Sequence, residues 1–296
     1  MCLILLSKPS LGDYKFVLTS NRDEFYERKT KNMFWWNNFD GLLAGQDLEQ
    51  GGTWLGITKS GRFAAVTNVR EFYQTDTKEN FLSRGDLVKN FLNSSLTPEE
   101  YVQKVEANKY MGFNLIVSDL KYFSIISSQG IENFSQELVV IGNRALNTET
   151  KKLKSAKEDF KSILNQTFTH QDLIELMQKP KKNYEFNFEQ INQNHGSEFD
   201  SRFITSDIYG TRSTTVITID RKDTVKVTEV IYDSSSNLSD SNTFEFKLEA
   251  NDWRTYKIEE WSNADILIIS LFQLELLMIR KSSRPQNYLK IISIWR

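Results

Sequence analysis

The chain has 296 residues, enough for one large domain or two ordinary ones with a sizeable core. Its 37 Lys and Arg nearly cancel its 39 Asp and Glu, which argues against nucleic acid or an anionic membrane as partner. One cysteine excludes an internal disulfide and suits a reducing compartment, and 12% aromatic residues suit a packed chain rather than a disordered one. The opening apolar run, "CLILL", is too short for a signal-peptide core and has no basic flank, so cytoplasmic residence is expected.

In chain order, Cys2 to Leu6 reads as a buried strand, and "SKPSLGD" is turn chemistry leading into a second strand, Tyr14 to Thr19. A charged cluster, "SNRDEF" at 20 to 25, follows and reads as a loop in which Asn21 and Asp23 form turns or caps. Leu42 to Gln46, Thr53 to Thr58 and Phe63 to Thr67 are three more strands, the last two joined by a hairpin at "KSG". A helix opens at Ser83-Arg84-Gly85-Asp86 and runs through Leu92. "TPEEYVQKVEANKY" begins another, with Thr97 as N-cap and Pro98 at the first helical position.

Strands return at Gly112 to Val117, Tyr122 to Ile126 and Leu138 to Ile141, followed by helices near 150–165 and 169–178. The polar stretch "KPKKNYEFNFEQINQNHGSEFD" reads as a long surface loop. "YGTRSTTVITIDRKDTVKVTEVIYD" then gives two strands joined at Arg221-Lys222-Asp223, with Phe244 to Leu248 a third. The sequence predicts one α+β domain over 1–250, with sheets and helices in layers. Residues 251–296 form a C-terminal extension. Its apolar stretch Ile266 to Ile279 would span roughly 21 Å as a helix, short of a bilayer core, so a docked helix is expected and no transmembrane segment.

Cys2 has a chemical potential of its own. Removal of Met1 would leave a thiol and a free α-amine on one residue, and that amine titrates near ~7.7–8.0 in model peptides, suitable for a base at neutral pH. A cation nearby, such as Arg22, would favour the thiolate. The alternative is a small hydrophobe in an apolar strand. His170 and His195 stand apart from any second metal-type cluster, so no zinc site is expected. Gly51-Gly52 lacks the spacing of a phosphate-binding loop and reads as a tight turn before Trp54. Phe34, Trp35 and Trp36 would line an apolar cleft, a core or a lid.

Met1-Cys2, "SNRDEF", "LAGQDLEQGGTWLGITKSGRFAAVTNVRE" at 43–71, "SRGDLV" at 83–88, "GN" at 142–143 and "YGTRSTTV" at 209–216 occur in one order over about 230 residues. Together they resemble the NRDE family, also called the transport and Golgi organisation two family. That resemblance implies kinship with N-terminal nucleophile hydrolases of the choloylglycine hydrolase and penicillin V acylase type, and hence a four-layer αββα sandwich. Carried onto this chain, it implies a catalytic set of Cys2, Arg22, Asp23, Asn68, Asn143 and Arg212, with Asn21, Glu24, Trp35 and Trp54 binding. The order of arginine and acid in "NRDE" departs from that branch, which leaves their separate roles open.

Two functions follow from the resemblance. In one, Cys2 hydrolyses a non-peptide amide bond of a small acyl substrate, with no cofactor required. In the other, the same pocket handles a ligand without turnover, in movement of haem, acyl lipid or secretory cargo. Haem would then have Cys2 or His195 as its axial ligand, although no Cys-Pro or Cys-x-x-Cys-His pattern accompanies them.

Overall fold

The computed structural model describes residues 2–9, 12–69, 81–133, 137–146, 148–185 and 200–249. All lie in the unit Met1–Ala250. The extension at 251–296, with its expected docked helix, falls outside the described residues, as do His195, Arg70 and Glu71.

The described residues include fifteen strands, four α-helices and one 3-10 turn, Ala107–Lys109. Sheet A runs in the order β10 (Leu138–Ile141), β1 (Cys2–Ser7), β2 (Tyr14–Phe25), β13 (Tyr209–Asp220), β14 (Thr224–Tyr232) and β15 (Leu238–Lys247). Sheet B is a meander of β3 (Thr30–Trp35), β4 (Leu42–Asp47), β5 (Leu55–Thr58), β6 (Phe63–Asn68), β7 (Phe113–Ser118), β8 (Phe123–Ser127) and β9 (Gly130–Asn133). All neighbours in both sheets are antiparallel. Two short strands, β11 (Lys181–Asn183) and β12 (Phe203–Thr205), pair in parallel beside them.

The helices are α1 (Arg84–Leu92), α2 (Pro98–Lys104), α3 (Lys151–Leu164) and α4 (His170–Gln178). Their starts follow from local chemistry. Thr97 and Glu100 close a capping box on α2, and Thr169 and Asp172 do the same on α4.

Strand alternation sorts the side chains into three apolar layers. Ile4, Leu6, Phe16, Leu18, Ile217 and Val227 of sheet A meet Leu43, Leu55, Ile57, Phe63 and Ile116 of sheet B. The other face of sheet A packs Leu3, Leu5, Val17 and Val216 on Phe160 of α3 and Leu173 and Met177 of α4. The other face of sheet B packs Ala44, Ala64, Val66 and Leu115 on Val88 and Phe91 of α1 and Val102 of α2. The order is helices, sheet A, sheet B, helices: the expected αββα sandwich.

The charged cluster departs from its reading as a loop. β2 continues unbroken from Tyr14 to Phe25, carrying "SNRDEF" inside the sheet. Polar residues persist there because β13 pairs with the run as far as Phe25 and β1 as far as Arg22, so the sheet takes up most of its backbone groups.

Candidate functional site

The register of sheet A builds the site. Cys2 stands directly opposite Arg22 on one side of β2, and Ser213 stands opposite Arg22 on the other. Neighbours on β2 go to opposite faces. Asn21 turns toward the α3/α4 layer, where its amide nitrogen donates to the carbonyls of Met177 (2.9 Å) and Arg202 (2.8 Å) and its oxygen accepts from Thr214 Oγ1 (2.7 Å). Asp23 is buried and accepts from Thr211 Oγ1 at 2.7 Å, and its carbonyl accepts from Tyr209 Oη. Asn21 and Asp23 therefore tie β2 to β13, and Asn21 ties it also to α4 and to Arg202 before β12.

Arg22 faces sheet B. It is 5% exposed, its guanidinium lies 4.2 Å from the centre of the Trp54 ring, and its Nη1 has no hydrogen-bond partner among the described residues. Trp54 fits because Gly45 has no Cβ where the indole passes. Ser213 is 4% exposed, and its Oγ is likewise without a partner among the described residues. One row deeper, Ser20, Thr215 and Glu229 replace the apolar residues that fill the rest of this face. The inter-sheet space thus changes from apolar to polar at this end.

Glu229, 1% exposed, accepts from the Met33 backbone N–H at 2.7 Å. That N–H is available because β3 slips register against β4 between Lys31 and Phe34. Burial pushes the Glu229 carboxyl up to about 7, against the Met33 N–H and the positive charge of Arg22, which favour the ionised form.

A charged rim lies above this floor. Arg28 donates to Asp47 from Nη2 (2.6 Å) and Nε (3.0 Å) and reaches Glu49 and Glu24 at 3.4 and 4.0 Å. Burial would raise the Glu24 carboxyl, but surrounding positive charge, Arg22 and Arg28 included, and the Phe25 N–H outweigh it and hold it below its usual value. Arg212 sits in a bulge of β13 between Thr211 and Ser213, and its Nη1 donates to the carbonyls of Phe25 (2.8 Å), Tyr26 (3.2 Å) and Arg28 (3.3 Å). Burial, then the charge of Arg22, lowers its pKa. Arg212 ties down the chain that leaves β2.

Asn143 and Asn68 meet each other: the Asn143 amide nitrogen donates to the Asn68 carbonyl at 2.9 Å. Alternation along β6 puts the Asn68 side chain on the face of Val66, toward α1 and α2, so only its backbone takes part. Thr67 Oγ1 donates to the Gly142 carbonyl (2.7 Å), and Asn114 Nδ2 donates to the Arg144 carbonyl (2.8 Å), which fixes the turn carrying Asn143. Trp54 joins this edge through its carbonyl, which accepts from the Val66 N–H at 2.9 Å.

The register therefore brings the backbone of position 2 opposite Arg22, which lies against Trp54, with Glu24 and Arg212 on the rim. Trp35 lies apart, edge-on to Phe244 and Phe246 of β15, and Trp36 is buried with its indole N–H on the Ala44 carbonyl. Both pack the core at that edge rather than line the site. An open recess of about 590 Å³ lies elsewhere, against α3 and α4 near Asp159 and Arg202, and touches none of the expected residues. Ser213, Glu229 and Asn114 were not foreseen. Only Glu229 left a sign: along β14 it continues the series Val225, Val227, a charge in an apolar register.

The family model described as "Transport and Golgi organisation 2" matches residues 1–234. A mouse protein named Transport and Golgi organization 2 homolog is 30% identical over 279 residues, covering 84% of this chain and all of its own length. The human homologue matches with the same identity and coverage. Among solved structures, penicillin V acylase from Agrobacterium tumefaciens is similar, with 15% identity, 83% of this chain and 86% of that one covered, and a TM-score of 0.46. By the family model and these relatives, the chain belongs to the Transport and Golgi organisation 2 family.

Proposed function

We propose that this chain is an N-terminal nucleophile hydrolase acting on a non-peptide amide bond of a small acyl substrate, with Cys2 as nucleophile once Met1 is removed. One observation carries the reading: position 2 lies in register with Arg22, a buried guanidinium with a vacant donor stacked on Trp54. Directly opposed residues of an antiparallel pair share a face. A cation there favours the thiolate, and the α-amine of Cys2 takes the thiol proton directly or through a water.

Attack on the acyl carbon forms the C–S bond, and collapse of the tetrahedral intermediate expels the amine with the proton held by the Cys2 amine. Water then opens the thioester, releasing the acid and the thiol. Asn143 carries two amide hydrogens, one engaged by Asn68, and the other suits the oxyanion. Asp23 and Arg212 are positioning residues, through β13 and the segment after β2. No cofactor takes part in this scheme.

A second reading has support in the family's name and in the prior engagement of Asn143 and Arg212: the same pocket holds a lipid or haem without turnover. Intact mass and activity distinguish the two. Under the hydrolase reading the mature chain lacks Met1, Cys2→Ser keeps weak activity and Cys2→Ala has none across a panel of acyl amides, with unchanged circular dichroism. Full turnover by Cys2→Ala would end that reading. A mature, reactive Cys2 that cleaves no amide favours ligand carriage, and haem is then tested by its Soret band. No helix among the described residues is long and apolar enough to cross a membrane.

A further inference from the structure

Arg22 and Glu229 place opposite charges on one inter-sheet face, yet no hydrogen bond or ion pair joins them among the described residues. Arg22 Nη1 and the directly opposed Ser213 Oγ are both buried donors without a partner among the described residues. Buried donors are normally satisfied, and two beside each other on one ladder row fit a single acceptor oxygen from outside the chain. Glu229 lies one row deeper and two strands across, roughly 10 Å sideways at ordinary strand spacing.

We propose that Arg22 and Ser213 hold an acceptor oxygen of a small anionic ligand, and that Glu229 is the specificity-determining residue that sets how much negative charge this floor accepts. The proposal deepens the hydrolase reading and rests on it for placing the reacting carbon near Cys2. The surroundings of Glu229 leave few other charges to do this. Thr215 faces it from β13, Ser20 and Arg22 from β2, and Asn242 from β15. Asp240 of β15 adds a like charge that is itself engaged by Asn32, and Met33 of β3 contributes only its N–H. With Glu229 protonated, Arg22 dominates and the floor attracts an anion. With Glu229 ionised, that attraction is largely offset.

The sign follows: burial raises Glu229 to about 7, so the wild type holds a small carboxylate more tightly at pH 6 than at pH 8. Propionate, with propionamide as the neutral control, can be titrated by tryptophan fluorescence into the full chain at both pH values and constant ionic strength. In the wild type, the propionate Kd is expected to be about tenfold higher at pH 8 than at pH 6. Glu229→Gln should bind propionate more tightly than the wild type at pH 8 and lose most of the tenfold change, because its amide oxygen still accepts from the Met33 N–H. What remains of the change belongs to the Cys2 α-amine, in register with Arg22, which loses its charge over the same range. Ser213→Ala should weaken propionate at both pH values. Equal propionate affinity of wild type and Glu229→Gln at pH 8, equal binding of propionamide, or no propionate binding would each overturn the proposal. Labelling of Cys2 by a neutral methyl thiosulfonate, run alongside, reads the hydrolase proposal separately: an inert Cys2 defeats that reading, while the propionate result still decides this one.

Discussion

Asn21 and Arg22 are adjacent in sequence and opposite in purpose. Asn21 spends both ends of its amide on β13, α4 and the segment before β12, whereas Arg22 keeps a buried donor unspent. Asn21→Ala should cost about 3 kcal/mol in urea unfolding by stranding buried carbonyls and the Thr214 hydroxyl, and leave the Cys2 labelling rate of the folded protein near wild type. Arg22→Met should do the reverse, with stability held or raised and labelling at pH 7 slowed about tenfold. Two buried titrating groups act on stability with opposite sign. Glu229, raised to about 7, binds its proton more readily folded than unfolded, so its contribution falls as pH rises from about 4.5 through 7. His170 sits between Thr218 Oγ1 and Thr228 Oγ1 at 2.8 Å each; burial, then Lys226, lowers it to about 4, so its contribution falls as pH drops from about 6.5 toward 4. Removing the Glu229 titration by Glu229→Gln should therefore leave a stability curve that rises from pH 4 to 6.5 and then stays flat. A curve that still declines between pH 5 and 7 in thermal melts would refute this assignment.

At the scale of elements, most strands and all four helices were legible because period and caps agreed, as in the Thr97–Glu100 box. β3 was not. Its "TKNMFW" breaks alternation where the bulge sits, and the bulge is stabilised by Glu229, nearly 200 residues away in sequence. The first half of β15, "LSDSNT", is exposed and carries no apolar signal, and β11 and β12 are too short to give one. The charged motif misled for a related reason: a polar run looks like a loop until a second strand is known to flank it. Of the site, residue types were legible through the family resemblance, but facing was not; only register separates Asn21 from Arg22. The glycines of "GGTW" and "SRGD" gain a shared meaning here. A Cβ on Gly52 would come within 2.6 Å of the Gly85 carbonyl carbon, so the turn before Trp54 and the first turn of α1 touch backbone to backbone. Gly52→Ala should destabilise by about 1–3 kcal/mol and loosen Trp54, measurable as a red-shifted tryptophan emission on a lowered melting curve.

For the whole sandwich, the layers are not independent. Leu3 and Leu5 serve the α3/α4 layer while Ile4 and Leu6 serve the space between the sheets, and Val17 alternates in the same way with Phe16 and Leu18. Sheet A is thus shared property, whereas among the described residues the apolar faces of α1 and α2 pack on sheet B. Native-state hydrogen exchange should find the amides of β1, β2 and β13 opening only with global unfolding, and those of α2 opening at lower free energy. Equal protection of α2 and β2 would contradict this division. The shared sheet also bears on how such a chain could change over evolutionary time. A substitution under α4 is transmitted through one backbone to the face that carries Arg22, so drift on the outside of the molecule is disciplined by the site on the inside.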